Sequence, residues 1–195
     1  MKLYFTIIGI SMALISIANI IFEVAEWYYV LVAVVFCTAL QFAFDGLVAI
    51  FVRLTPDRFY EIDNPLYRIS EWEKRMYNRL GVRRWKDRVW ELGGAGGFSK
   101  KKLTDPSDPA YIEKFIVECN RGIITHRLSY PVGFFAMLTL PGDCAFTIAL
   151  PVALVNLYLN ILPTLVLRYN TPKLHSLLKR LRRKEDKARS CTSDV

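Results

Sequence analysis

Tyr28–Val52 reads YYVLVAVVFCTALQFAFDGLVAIFV, and Asp45 is its single charged residue. At 1.5 Å per residue a helix of this length exceeds the roughly 30 Å of hydrocarbon in a bilayer. The run is therefore expected to cross a membrane as a helix. Leu3–Phe22, just before it, is twenty residues without a charge. A signal peptide is the alternative for that first run. Its apolar core is longer than usual and no convincing small-x-small cleavage site precedes Glu23, so an uncleaved span is expected. Glu23–Trp27 joins the two runs as a short acidic turn, and Trp27-Tyr28-Tyr29 reads as an aromatic anchor at the interface.

Two shorter apolar stretches lie downstream. Leu128–Leu140 has thirteen residues, or eighteen when extended back to Ile123, the low end for a span. Pro131 is expected to kink it or to sit near its start. After the Pro141-Gly142-Asp143 turn comes Ala145–Leu167, 23 residues without a formal charge. Asn156 and Asn160 stand four apart on one face of it. Asparagines at that depth face protein rather than lipid, either joining helices or lining a polar pocket.

The reading is an all-α integral membrane protein with about four transmembrane helices. A basic, amphipathic cytoplasmic helical region separates the second from the third. The chain divides into a hairpin (1–52), an interfacial helical region (53–127), a second membrane pair (128–167) and a basic tail (168–195). The middle region carries 16 Lys/Arg, the tail nine, and Lys2 one, whereas the two intervening turns hold Glu23, Glu26 and Asp143 and no base. The positive-inside rule then puts all three basic parts, and both termini, on the cytoplasmic face of the cell membrane. A re-entrant hairpin for the last two runs gives the same sidedness.

Overall charge is +8, with 26 Lys+Arg against 18 Asp+Glu. Beside such apolar runs, an anionic membrane face accounts for this better than nucleic acid does. Cys37, Cys119, Cys144 and Cys191 form no CxxC pair and only two histidines exist, so free thiols and no metal centre are expected. Gly93–Gly97 and Lys100–Lys102 resemble a phosphate loop in composition but lack its pattern. In the middle region Ser70 and Glu73 spell a capping box for a helix ending at Gly81, and Val82–Leu92 reads as a second short helix. Trp72, Tyr77, Trp85 and Trp90 among Arg and Lys suit either helices in the headgroup layer or a small helical lobe with buried rings. Asp105–Pro109 caps the next helix. Pro172 is expected to break the chain before a short basic helix over Leu174–Arg183.

That next helix carries the best site candidate, within EKFIVECNRGIITHRLSYPVGFFAMLTL (Glu113–Leu140). Glu118, Arg121, Gly122 and Thr125 share one helical stripe, with His126 at its edge. Glu118 and Arg121 are either an ordinary i,i+3 pair worth about 0.2–0.5 kcal/mol or part of a site that also uses the imidazole.

Three stretches together resemble the glycosyl-4,4'-diaponeurosporenoate acyltransferase family. They are Arg83-Arg84-Trp85-Lys86-Asp87, Glu118-x-x-Arg121-x-x-x-x-His126, and Asn156-x-x-x-Asn160-Ile161-x-Pro163 leading to Arg168-Tyr169-Asn170. Gly122-Ile123, Leu167 and Thr171 depart from the pattern, as in a divergent member. The resemblance implies transfer of a fatty acyl group to a sugar hydroxyl of a glycosylated carotenoid, terpenoid or related glycolipid. The partners it implies are the bilayer, an acyl donor and a lipid-linked glycoside; no cofactor is expected.

On that reading His126 is the general base, Glu118 orients it or takes the proton, and Arg121 stabilises the oxyanion or holds the donor. Asn156, Asn160, Arg168, Trp85 and Lys86 are expected to bind substrate. Neither HxxxxD nor GxSxG occurs: five residues after His126 stands Pro131, and five after His175 stands Arg180. The competing reading is a non-catalytic membrane scaffold that binds anionic lipid or a partner enzyme.

Overall fold

The structure, a computed structural model, describes residues 2–89 and 103–193. Trp90, Gly93–Gly97 and Lys100–Lys102 lie outside the described residues. All regular structure among the described residues is helical. Three helices are long and apolar enough to cross a bilayer: Leu3–Ile21, Trp27–Leu54 and Ala145–Lys187. The chain forms two compact units, Met1–Leu54 with Ile124–Pro163, and Thr55–Ile123 with Thr164–Val195.

The first unit is built on a hairpin of α1 (Lys2–Ile21) and α2 (Trp27–Leu54). The turn between them includes Glu23 in a left-handed conformation, φ 49°. Inside, Val30, Ala33 and Val34 of α2 pack on Cys144 and Ile148, with Met12 and Ile15 of α1 against them. Cys37 meets Ala149 and Val152. Asn19 is buried and donates to the carbonyls of Ile15 (2.8 Å) and Thr147 (2.9 Å), so it ties α1 to the start of the last helix. Outward, Leu14, Val32, Leu47 and Phe51 are each more than 60% exposed. An apolar surface this continuous is at home in hydrocarbon.

The stretch over 128–140 is not among the three long apolar helices. The helix that reaches it, α5 (Pro109–Val132), holds Pro131 inside and ends one residue later. Proline has no N–H to give the carbonyl four residues back, and the chain continues as 3-10 turns over Gly133–Thr139.

A π-helical turn over Ala145–Ala149 then leads into α6 (Leu150–Ser193). This helix passes through Pro163 and Pro172 unbroken, contrary to the expected stop at Pro172. The reason lies in packing. Leu167, Leu174 and Leu178, on both sides of Pro172, are buried in one core with Ile112, Phe115, Ile116, Cys119 and Ile123 of α5. That shared core holds the two segments in register, and burial outweighs the proline cost of about 3 kcal/mol.

The second unit also contains α3 (Glu71–Arg79), which starts as the sequence foretells. Ser70 Oγ accepts from the Glu73 N–H and the Glu73 carboxylate accepts from the Ser70 N–H, both at 3.2 Å. The helix ends where Gly81 takes φ 59°. α4 (Val82–Trp85) gives way to a 3-10 turn at Lys86–Arg88, and the last part of the expected 82–92 helix, residues 90–92, lies outside the described residues. Asp108 caps α5, accepting from the N–H groups of Ala110 (2.9 Å) and Tyr111 (3.2 Å). Of the aromatic residues in this region, Trp72 faces outward, whereas Tyr77 is buried.

Candidate active site

Polar residues in the first unit gather into one connected network. Residues four apart share a helix face. Gln41 and Asp45 do so on α2, Asn156 and Asn160 on α6. The Asn156 amide donates to Gln41 Oε1 at 3.0 Å and to Asp45 Oδ1 at 3.4 Å. Asn160 donates to Asp45 Oδ2 at 3.2 Å and to the Asn156 carbonyl at 3.1 Å. Gln41 in turn donates to the carbonyl of Gly133 at 2.7 Å. A Cβ at position 133 would stand 2.8 Å from Gln41 Oε1 and 3.3 Å from Asn156 Nδ2, so only glycine admits this approach.

His126, half-buried on α5, joins through Nδ1, 2.8 Å from Asn160 Oδ1. The carboxylate fixes what that contact means. Asp45 offers acceptors, so the Asn160 NH2 turns towards it and the amide oxygen faces the ring. The oxygen accepts, so Nδ1 carries the proton, and in the neutral ring the lone pair is on Nε2. An acid, an amide and an imidazole thus lie in series, the first two on helices long and apolar enough to cross a bilayer, where unpaired polar groups are costly and ionisable ones mark function.

Glu118 and Arg121 belong to the second unit and have partners there. They pair at 2.5 Å and both side chains are nearly nine-tenths covered, unlike a solvated surface pair. Arg121 also pairs with Asp57, and its guanidinium lies 5.0 Å from the centre of the Tyr60 ring. Nearby, the fully buried Asn120 donates to the Tyr60 carbonyl at 2.9 Å. These bonds fasten the 3-10 turn at Asp57–Tyr60 to α5.

Arg168 is 4% exposed and grips Glu73 with two parallel bonds of 2.8 Å while donating to the Arg68 carbonyl at 3.2 Å. Glu73 accepts from Tyr77 as well, at 3.0 Å. Burial alone pushes the Glu73 carboxyl up. The Ser70 N–H, Arg168 and Tyr77 outweigh it and hold the group below the usual carboxylate range. Trp85 donates its indole N–H to the Leu80 carbonyl at 3.0 Å, and Lys86 lies 3.4 Å from Asp87.

Among the sequence-derived candidates the structure therefore joins His126, Asn156 and Asn160 in one network, and Glu118 with Arg121 in another place. Asp45 and Gln41 were not among the candidates. Their signal was present: the single charge of the second run, with a glutamine one helical turn before it. Among the described residues no His/Cys/Asp/Glu group has the makings of a metal site.

No curated protein and no solved structure matches the chain. The sequence pattern of glycosyl-4,4'-diaponeurosporenoate acyltransferases matches residues 56–180, a stretch that holds His126, Gly133, Asn156 and Asn160. With the match spanning well over half of the 195 residues, the chain belongs to the glycosyl-4,4'-diaponeurosporenoate acyltransferase family.

Proposed function

We propose that this protein transfers a fatty acyl group, inside the membrane, to a sugar hydroxyl of a glycosylated carotenoid, terpenoid or related glycolipid. The observation that carries the reading is the Asp45–Asn160–His126 series, which sets a carboxylate and an amide behind the imidazole. A sugar hydroxyl is a poor nucleophile until its proton is taken, and an imidazole takes it near neutral pH. In the step, the hydroxyl oxygen attacks the acyl carbonyl carbon while its proton passes to Nε2. The new ester bond forms as the bond to the donor's thiol or alcohol breaks, and that leaving group receives the proton. Asp45 is a positioning residue in this scheme, acting through Asn160.

For Glu118, Arg121 and Arg168, which are engaged in ion pairs, the proposal is a supporting role that keeps α5 and α6 in place. Trp85 and Lys86 are assigned to the polar end of a substrate. Placing the basic middle and tail on the cytoplasmic side of the cell membrane requires the chain to return between α5 and α6. We assign that return to the stretch over 128–144, as a fourth crossing or a re-entrant loop.

The test is expression of the full chain in membranes supplied with glycosylated terpenoid acceptors, with acylated product read by mass. Wild type and Lys179→Ala should form product, and His126→Ala should lose it by about 10²–10⁴-fold. Equal product from wild type and His126→Ala, at equal protein level, refutes the assignment.

A further inference from the structure

The first unit contains a groove on its surface between α1, α2 and α6. We infer that it holds the acyl chain of the donor, with the reactive carbonyl at the Asn156 end and the methyl end against Met12 and Ile15. This rests on the acyl-transfer reading and adds to it the place, the direction and the residues that measure the chain.

Three observations carry it. The first is shape. Tyr4, Ile8, Met12 and Ile15 line the groove along one face of α1, a rise of about 16 Å at 1.5 Å per residue. That is an extended slot, suited to a chain and not to a ring system. The second is polarity. Gln41 and Asn156 are both lining residues and are bonded to each other at 3.0 Å. Both belong to the network that reaches His126, so the groove wall and the proposed base are one construction. At the other end, Met12 and Ile15 pack on the wholly apolar cluster of Val30, Val34 and Ile148. Ser11 and Thr38 also line the groove, the Thr38 hydroxyl turned back to the Val34 carbonyl at 2.8 Å, so an occupant meets the paired amides at one level and chiefly hydrocarbon beyond them, the polarity of an acyl ester or thioester. The third is the setting. The groove lies in the unit whose outer surface is apolar, so its open side costs an acyl chain nothing in a bilayer.

Bilayer lipid is the rival occupant, and the experiment separates the two. Cells expressing the full chain are fed fatty acids of two lengths, and the acyl groups on the product are weighed. Ile15→Trp and Met12→Phe, which fill the far end, should raise the ratio of short to long acyl product by about tenfold or more while short-chain product persists. An unchanged ratio with activity intact overturns the groove and leaves the acyl-transfer reading standing.

A second arm does not depend on turnover. A fatty acid bearing a diazirine at its methyl end is photolysed in membranes containing His126→Ala protein. Cross-links in the α1 peptide that carries Met12 and Ile15, displaced by unlabelled fatty acid, support the site even if no acceptor is ever acylated. Labelling that a diazirine phospholipid reproduces equally, and that free fatty acid does not displace, shows a lipid-filled groove and overturns the inference.

Discussion

Replacing Asp45 by Asn asks the most of the proposed mechanism, because it removes a charge while keeping shape. In the wild type the two carboxyl oxygens accept from Asn160 at 3.2 Å and from Asn156 at 3.4 Å. Hydrogen bonds to a charged acceptor are worth about 1.5–3 kcal/mol, against about 0.5–1.5 for neutral pairs. The exchange therefore costs about 1–1.5 kcal/mol of orientation. If that orientation serves the transition state, the loss is about tenfold in kcat. It must be smaller than the loss in His126→Ala, since Asp45 works through another residue. An asparagine at 45 can also present its NH2 to Asn160. The Asn160 amide is then free to turn, and the ring to shift its proton from Nδ1 to Nε2. Two readouts follow: product formation at limiting and saturating acceptor, and imidazole nitrogen-15 spectra of His126. The expected outcome is a kcat reduced about tenfold, an unchanged KM, and a mixture of tautomers where wild type shows Nδ1–H. A kcat equal to wild type with the Nδ1–H tautomer retained refutes the reasoning, because the carboxylate would then be orienting nothing.

Gly133→Ala places a methyl 2.8 Å from Gln41 Oε1, so Gln41 must leave the Gly133 carbonyl; thermal unfolding in detergent should show a loss of about 1–3 kcal/mol, and Gly133→Ala combined with Gln41→Ala should recover part of it. Glu73→Gln leaves Arg168 buried with its charge uncompensated and should cost about 3–5 kcal/mol at neutral pH. The sign with pH follows from Glu73's depressed folded-state value: its contribution is complete above the unfolded carboxyl value of about 4.3 and is lost as pH falls through the lower folded value. Wild type should therefore lose stability on acidification below about pH 4 more steeply than Glu73→Gln; parallel curves would show that this carboxylate is not what titrates. Pro172→Ala should stabilise the protein by up to about 3 kcal/mol by restoring an N–H to the Arg168 carbonyl inside a continuous helix; no gain would mean that the helix is interrupted there after all.

Much of the membrane part was legible because lipid leaves little choice. An uncharged run of twenty residues has one way to satisfy its backbone, and α1 and α2 appear where the runs stand. Local chemistry was equally plain at Ser70, Glu73 and Gly81, where cap and stop follow from side-chain oxygen and positive φ. Reading failed where a long-range contact outweighed a local rule. Pro172 says stop, but the leucines on either side of it share a core with α5. Arg168 and Glu73 are 95 residues apart, and nothing near either one names the other. The site was half legible for the same reason. Asn156 and Asn160 stand out in an apolar run, yet the partner that gives them meaning is Asp45, 111 and 115 residues away. Charge in a span is itself a signal, and the spacing of Gln41 to Asp45 repeats that of the asparagines.

The boundary of the family match divides the network unevenly: residues 56–180 supply the imidazole, the glycine and both asparagines, while Asp45 and Gln41 come from the helix before it. On the proposed mechanism the α1–α2 hairpin is thus a cassette that brings both the acid partner of the base and two walls of the groove. Grafting it between members of the family would exchange chain-length preference and acid support in one operation, with the histidine left where it is.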